Sequence, residues 1–402
     1  MQNQISLGDI LYQYGESYIS RNPVSAQEKG IIRLLSACRT QYIGSHYEKC
    51  DQCGYLGKAY NSCRNRHCPA CQHKDQLQWM DKHIQELLPV GYYHLVFTIP
   101  HELNGLCQKN KKVMYDLLFK AVSQTLLELT RDTKHLGAET GLITVLHTWG
   151  QNMMDHFHLH CIMPAGGLSF DKQHWVYVDN KNDFFIHYKV LSAKFRGQFL
   201  DLLKQAFSNG KLVFKGNLAC ISGKKSFTDF TGKLKKKDWV ANIQAPFGSP
   251  KKVLEYLSRY VFRIAISDRR IVEVKDGKVF FNWKDYRTGL FRKMKLDIDE
   301  FIRRYLLHIL PKGFFKVRYY GMFSSRHRKE NIRLSKKHLE QDQLEKQQEA
   351  IEDGRSVRKK QNTIWEEIMQ CMLSYRKPNC PVCKKGILRF AGMVPDSLLN
   401  TG

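Results

Sequence analysis

Met154-Asp155-His156-Phe157-His158-Leu159-His160-Cys161-Ile162-Met163 places a histidine at every second position of an apolar run. A strand turns alternate residues to opposite faces. His156, His158 and His160 therefore share one face, while Phe157, Leu159 and Cys161 share the other. The preceding run, Leu142 to Trp149, is also strand-like, and the polar segment Gly150 to Asp155 between the two reads as a turn. The two runs then form a hairpin. Antiparallel neighbours sit about 5 Å apart, so His147 is expected across from the three histidines. Three consecutive same-face residues span about 13 Å and cannot all reach one ion. The expected metal ligands are His158, His160 and His147, with His156 able to replace one of them. Imidazoles with open coordination positions suit Mg2+ or Mn2+ bound together with a substrate phosphate, or Zn2+ by affinity.

Downstream, Ser249-Pro250 starts a helix, with Ser at the N-cap and Pro at the first helical position. That helix carries Tyr256-Leu257-Ser258-Arg259-Tyr260, whose two phenols, four residues apart, share one side. A phenol is a weak nucleophile because its free pKa lies near about 10. A metal polarising a scissile phosphate, with arginines nearby, removes much of that barrier. Tyr256 and Tyr260 beside a histidine-held metal thus point to cleavage of a DNA strand. Arg270 to Trp283 reads as a β-hairpin with an Asp276-Gly277 turn.

Composition supports a nucleic-acid partner. The 402-residue chain has 64 Lys and Arg against 38 Asp and Glu, a net charge of +26. A surplus of this size seeks a polyanion, and 12% aromatic content suits stacking on single-stranded bases. At 43% hydrophobic the chain is a folded one. No run of about 18 apolar residues is present, so no membrane span is expected. The N-terminus lacks the pattern of a signal peptide. A cytoplasmic location follows, where twelve cysteines indicate metal sites and buried thiols rather than disulfides.

The densest cysteine cluster lies near the N-terminus: Cys50-Asp51-Gln52-Cys53, Cys63, and His67-Cys68-Pro69-Ala70-Cys71. Two CxxC turns each present two thiolates, and together they make the tetrahedral site that structural Zn2+ prefers. The expected zinc set is Cys50, Cys53, Cys68 and Cys71. His46, Cys63 and His67 are left as extra ligands or as packing beside that site. Arg64 and Arg66 form a basic rim and, with Arg259, Arg263 and Arg270, are the DNA-contact candidates. At the far end, Cys380-Pro381-Val382-Cys383 looks like one knuckle of a zinc ribbon, yet no second CxxC follows it. Between residues 334 and 361 the charged, Gln-rich sequence reads as a solvent-exposed helix or a linker.

Three domains are expected: a zinc-binding DNA-contact module over 1–85, a catalytic domain over 86–330, and a charged helical linker with a CxxC tail over 331–402. These motifs, together with Tyr60 to Cys71, Tyr256 to Ser267, Phe301 to Gly313 and Val317 to Gly321, resemble the two-tyrosine rolling-circle transposases of insertion-sequence family ninety-one. The resemblance runs in order to about Arg328. It implies an α+β fold, a ferredoxin-like antiparallel sheet of the HUH (His-hydrophobe-His) endonuclease type. It also implies Tyr256 and Tyr260 as nucleophiles that leave a 5′-phosphotyrosine and a free 3′-OH on single-stranded DNA at element ends and target. The family usually has Pro where this chain has Phe157, so His156-Phe157-His158 is a second His-hydrophobe-His reading. The location implied is the bacterial cytoplasm, at the nucleoid. Two alternatives share parts of the pattern: a zinc-dependent DNA-binding regulator without catalysis, and a replication initiator or relaxase-type nickase. The alternating histidines separate the first of these, since a binding module has no use for them.

Overall fold

In the computed structural model, residues 5–72, 86–178, 186–247, 253, 261, 263–285, 288–352 and 380–393 are described. Two helices open the chain, α1 (Leu7–Arg21) and α2 (Ala26–Ser36). Each begins with a capping box, Ser6 with Asp9 and Ser25 with Glu28, so the first-turn N–H groups are satisfied locally. They cross closely at Gly15, where an added Cβ would lie 2.6 Å from the Ile32 side chain. A hairpin follows, β1 (Ser45–Cys50) and β2 (Leu56–Tyr60).

The central sheet is built from β3 (Tyr92–Thr98), β4 (Gly141–Trp149), β5 (Asp155–Pro164), β8 (Val240–Phe247) and β12 (Val317–Gly321). A small two-stranded ribbon, β6 (Gly166–Leu168) and β7 (Trp175–Tyr177), lies between β5 and β8 in the chain. The order in the sheet is β12-β4-β5-β3-β8, and every neighbouring pair is antiparallel. Period-two alternation divides each strand. Leu95, Phe97, Leu146, Phe157, Leu159 and Ile243 pack with the helices Lys111–Arg131 and Tyr188–Ser208 into the main core. Their alternates, the histidines among them, face the other side. The fold is therefore α+β with antiparallel sheets.

A second sheet, β9 (Ile271–Lys275), β10 (Lys278–Lys284) and β11 (Phe291–Asp297), precedes the helix Ile298–Leu307. The β9–β10 turn is Asp276-Gly277, both at positive φ, 50° and 70°. That pair of left-handed residues matches the twist of a tight hairpin, as the Asp-Gly sequence predicts. β11 escaped the sequence reading because Phe291-Arg292-Lys293-Met294-Lys295 buries little and shows weak alternation. Ile271, Val279, Phe281, Phe301 and Tyr305 share a core with α1, α2, Cys68 and Cys71.

The segment expected as an exposed helix or linker is helical over its described part. The helix Arg328–Glu352 buries Ile332, Ser335 and Leu339, at spacings of three and four, with Ile332 and Leu339 packed beside Tyr92, Ile143 and Ile162. A helical stripe this narrow is masked by the surrounding charge in the sequence. Beyond it, β13 (Leu388–Met393) returns to pair with β1, giving the order β13-β1-β2. Among the described residues, no helix is long and apolar enough to cross a membrane.

Candidate active site and cysteine clusters

The β4–β5 register places His147 directly opposite His158. Ligand nitrogens of His147, His158 and His160 lie within 4.8 Å of one another. All three side chains are buried, at 2%, 8% and 7% exposure. His156 lies further out along the same face, exposed, its ring 4.7 Å from that of His158 and outside the ligand group.

The hydrogen bonds fix which nitrogen each ring offers. His158 Nδ1 donates to the His156 carbonyl at 2.8 Å, leaving Nε2 as a lone pair. On β8, Gln244 Oε1 accepts from His94 Nδ1 at 2.9 Å. His94 Nε2 then accepts from His160 Nδ1 at 3.0 Å, which leaves His160 Nε2 as a lone pair too. These two Nε2 atoms are 3.1 Å apart. Two lone pairs pointed at each other repel unless a cation lies between or beside them. Outer partners that set the tautomer in this way are a regular feature of histidine metal sites.

Protonation would defeat this arrangement, and burial opposes it. Burial, with His156 nearby, pushes His158 down to about 3. His160 lies well below the ordinary value for the same reason, reinforced by His158 and His94. Burial holds His94 at about 4. The rings are thus neutral near pH 7, as ligands must be. Replacing Gln244 by Leu frees the His94 tautomer, and divalent-ion affinity is expected to fall about 10–100-fold. A calorimetric titration that shows unchanged affinity would rule out the relay.

Trp149 stacks on His147 with ring centroids 4.7 Å apart and borders a cavity of about 280 Å³. Arg66, Val261, Arg263 and Lys316 also line it. The Lys316 ammonium lies 5.1 Å from the Trp149 ring centre and donates to the Arg263 carbonyl at 2.6 Å. Burial pushes this amine down to about 7. The charge of Arg263 reaches His158 and His160 and helps to keep them neutral. Tyr256, Tyr260 and Arg259 lie outside the described residues. Of their neighbours, Val253 is buried beside Tyr92, Ile143 and Ile162, and Val261 lines the cavity.

Under this site His308 is buried, its Nε2 donating to the Met153 carbonyl at 3.0 Å and its Nδ1 3.2 Å from the Thr148 hydroxyl. Burial pushes its pKa down to about 4. In the unfolded chain a histidine protonates near about pH 6.5, so between those values the unfolded state binds more protons. The stability contributed by neutral His308 is complete above the unfolded value and is lost as pH falls toward the folded one. The slope is about 1.4 kcal/mol per pH unit. Urea unfolding at pH 7 and pH 5 should show a smaller loss in His308→Gln than in the parent. Equal losses would mean that this ring does not carry the dependence.

Two of the arginines expected on DNA have internal partners. Arg66 donates to the carbonyls of Pro311, at 2.8 Å, and Phe314. Arg270 donates to the carbonyls of Asn282, Ala265 and Gln151. Both guanidiniums brace loops through these carbonyls. Arg64 is exposed, with a positive φ of 50°.

The expected set Cys50, Cys53, Cys68 and Cys71 is divided in the structure. Cys68 and Cys71 join Cys38 and Cys63, while Cys50 and Cys53 join Cys380 and Cys383. The hairpin explains the division. Cys50 and Cys53 lie at its tip, whereas Cys63 follows its base, and a six-residue strand is about 17 Å long. In the first cluster Cys38–Cys71, Cys63–Cys71 and Cys38–Cys68 are each 3.6 Å apart between sulfurs. A tetrahedron with Zn–S bonds of about 2.3 Å has edges of about 3.8 Å. Cys38 was missed because it stands alone at the end of α2. His67 is buried beside the cluster, pushed down to about 3 by burial. His46 is 2.8 Å from the Asn61 side-chain oxygen through Nδ1 and is in neither cluster.

Residues 141–331 match the family described as "Putative transposase", and residues 10–99 match that described as "Transposase zinc-binding domain". Among relatives, "Putative transposase y4qJ" of Sinorhizobium fredii (strain NBRC 101917 / NGR234) is 44% identical over 328 residues, 81% of this chain and 82% of its own. The "Transposase for insertion sequence element IS801" of Pseudomonas savastanoi pv. phaseolicola is 28% identical over 299 residues, 73% of this chain and 70% of its own. No solved structure matches the chain.

Proposed function

Because the chain belongs to the IS91 family of transposases, we propose that it nicks and joins single-stranded DNA by tyrosine transesterification, in rolling-circle transposition. The observation that carries this reading is the convergence of His147, His158 and His160 on one face of the sheet, with the Nε2 atoms of His158 and His160 3.1 Å apart. His147, His158 and His160 would hold a divalent ion, Mg2+ or Mn2+. When bound, such an ion polarises the scissile phosphate and orients it. The Tyr256 or Tyr260 oxygen attacks phosphorus while the bond to the 3′ oxygen breaks. The phenolic proton leaves to solvent or a base, and the departing 3′ oxygen takes one up. The products are a 5′-phosphotyrosine and a free 3′-OH, and the second tyrosine serves the other strand transfer. Arg263, at the cavity beside Trp149, supplies positive charge for the DNA backbone. In the HUH reading, the antiparallel sheet is the platform that holds the histidine pair.

The test is a covalent-adduct assay. Purified protein is mixed with single-stranded oligonucleotides covering the element ends and Mn2+, then denatured. Labelled DNA should travel with the protein, and this band should vanish in Tyr256→Phe/Tyr260→Phe and in EDTA. An adduct that survives the double substitution would place the nucleophile elsewhere. Binding without any adduct would sink the catalytic reading.

A further inference from the structure

We propose that Cys50, Cys53, Cys380 and Cys383 form a second zinc site, a zinc ribbon divided between the two ends of the chain. The four sulfurs lie within 4.8 Å of one another. Cys50–Cys383 and Cys53–Cys380 are 3.7 Å and 3.6 Å apart, across 333 and 327 positions of sequence. These separations match the edge of about 3.8 Å for four thiolates on Zn2+, and are far beyond the roughly 2.05 Å of a disulfide.

The backbone around both pairs is built alike. In the first, Cys50 N donates to Tyr55 O at 2.8 Å and Gly54 N to Cys50 O at 3.2 Å. In the second, Cys380 N donates to Gly386 O at 2.7 Å and Lys384 N to Cys380 O at 3.0 Å. The residue four places after the first cysteine has positive φ in each, 73° at Gly54 and 59° at Lys384. In each turn a backbone N–H also points at sulfur, Gln52 N at Cys50 and Gly386 N at Cys383, at 3.4 Å and 3.3 Å. Such bonds favour the charged thiolate, the form a metal requires. Gly386 is obligatory here, since an added Cβ would lie 2.3 Å from the Cys50 sulfur.

Contacts beyond the sulfurs fix the two turns to each other. Asp51 N donates to Ile387 O at 3.1 Å, and Ile387 N donates back to the Asp51 carboxylate at 2.8 Å. Arg389 pairs with the same carboxylate at 3.2 Å. The β1–β13 register then runs from Cys50 opposite Leu388 to His46 opposite Met393. The zinc-binding match ends at residue 99 and so contains only half of this ligand set. The knuckle that lacked a partner in sequence finds it 327 residues upstream.

The experiment counts metal in the full-length protein. Native mass spectrometry of zinc-loaded protein is compared across three variants: Cys50→Ser/Cys53→Ser, Cys380→Ser/Cys383→Ser, and all four together. Each double variant should lose one zinc relative to the parent, and the quadruple variant should lose that same one and no more. Hydrogen exchange at the Asp51 and Ile387 amides should rise in both double variants. If the 50/53 and 380/383 losses add to two, the pairs bind separate ions and the proposal falls. It falls equally if neither double variant loses zinc. Should a serine variant aggregate, cadmium NMR of the parent decides: two resonances of four-thiolate type are expected, and one alone refutes the second site.

Discussion

His158→Ala or His160→Ala should reduce covalent-adduct formation and strand cleavage by about three orders of magnitude or more, while DNA binding changes less than about threefold. The asymmetry follows from what each ring does. The Nε2 lone pairs of His158 and His160 are 3.1 Å apart and face each other. Removing either one leaves a site with two nitrogens, so a divalent ion is lost together with its stabilisation of the charge that builds on phosphorus. DNA affinity rests instead on phosphate contacts spread over a chain of net charge +26. Gel-shift titration and the adduct assay, run on the same preparations, separate the two effects. A variant that binds and cleaves like the parent would exclude the histidines from the chemistry. Fluorescence unfolding of both variants guards against a trivial loss of fold, since these rings are buried.

Cys68→Ser should be the most damaging single change to stability. Binding of structural zinc is worth about 10–16 kcal/mol in isolated fingers, comparable to the whole stability of a typical domain, about 5–15 kcal/mol. In this chain the loss does not stay local. Cys68 and Cys71 share a core with α1, α2, Phe281, Phe301 and Tyr305. The Tyr305 hydroxyl donates to the His67 carbonyl at 2.6 Å, beside the cluster. Melting should fall by on the order of 10 °C, or the protein should be recovered only as aggregate. Differential scanning fluorimetry with zinc analysis checks this. An unchanged melting curve with one zinc missing would mean that packing alone supports the N-terminal unit.

The central sheet and its histidine face were legible in the sequence because a period of two is local. His156 to Met163 declares its two faces without help from the rest of the chain. Pairing of β4 with β5 follows from their closeness in sequence. What stayed hidden depends on distant register. His94 and Gln244 set the tautomer of His160, yet they meet it only because β3 lies between β5 and β8. The cysteines show the same limit: all but Cys38 of the clustered ones stood out in the sequence, but their division in two depends on the length of the β1–β2 hairpin and on a strand from far along the chain. Arg66 and Arg270 read as phosphate contacts by their charge, and their carbonyl partners, far away in sequence for Arg66, are not visible in the sequence.

One outcome of the β13-β1-β2 order concerns synthesis. Translation delivers β1 and β2 early, and β13 only after about 330 further residues have left the ribosome. Until then β1 exposes an unpaired edge, the kind of edge that invites pairing with other chains. The nascent protein is therefore more exposed to aggregation before β13 emerges. Host conditions that stall the ribosome late in the message would then reduce usable protein more than codon position alone predicts.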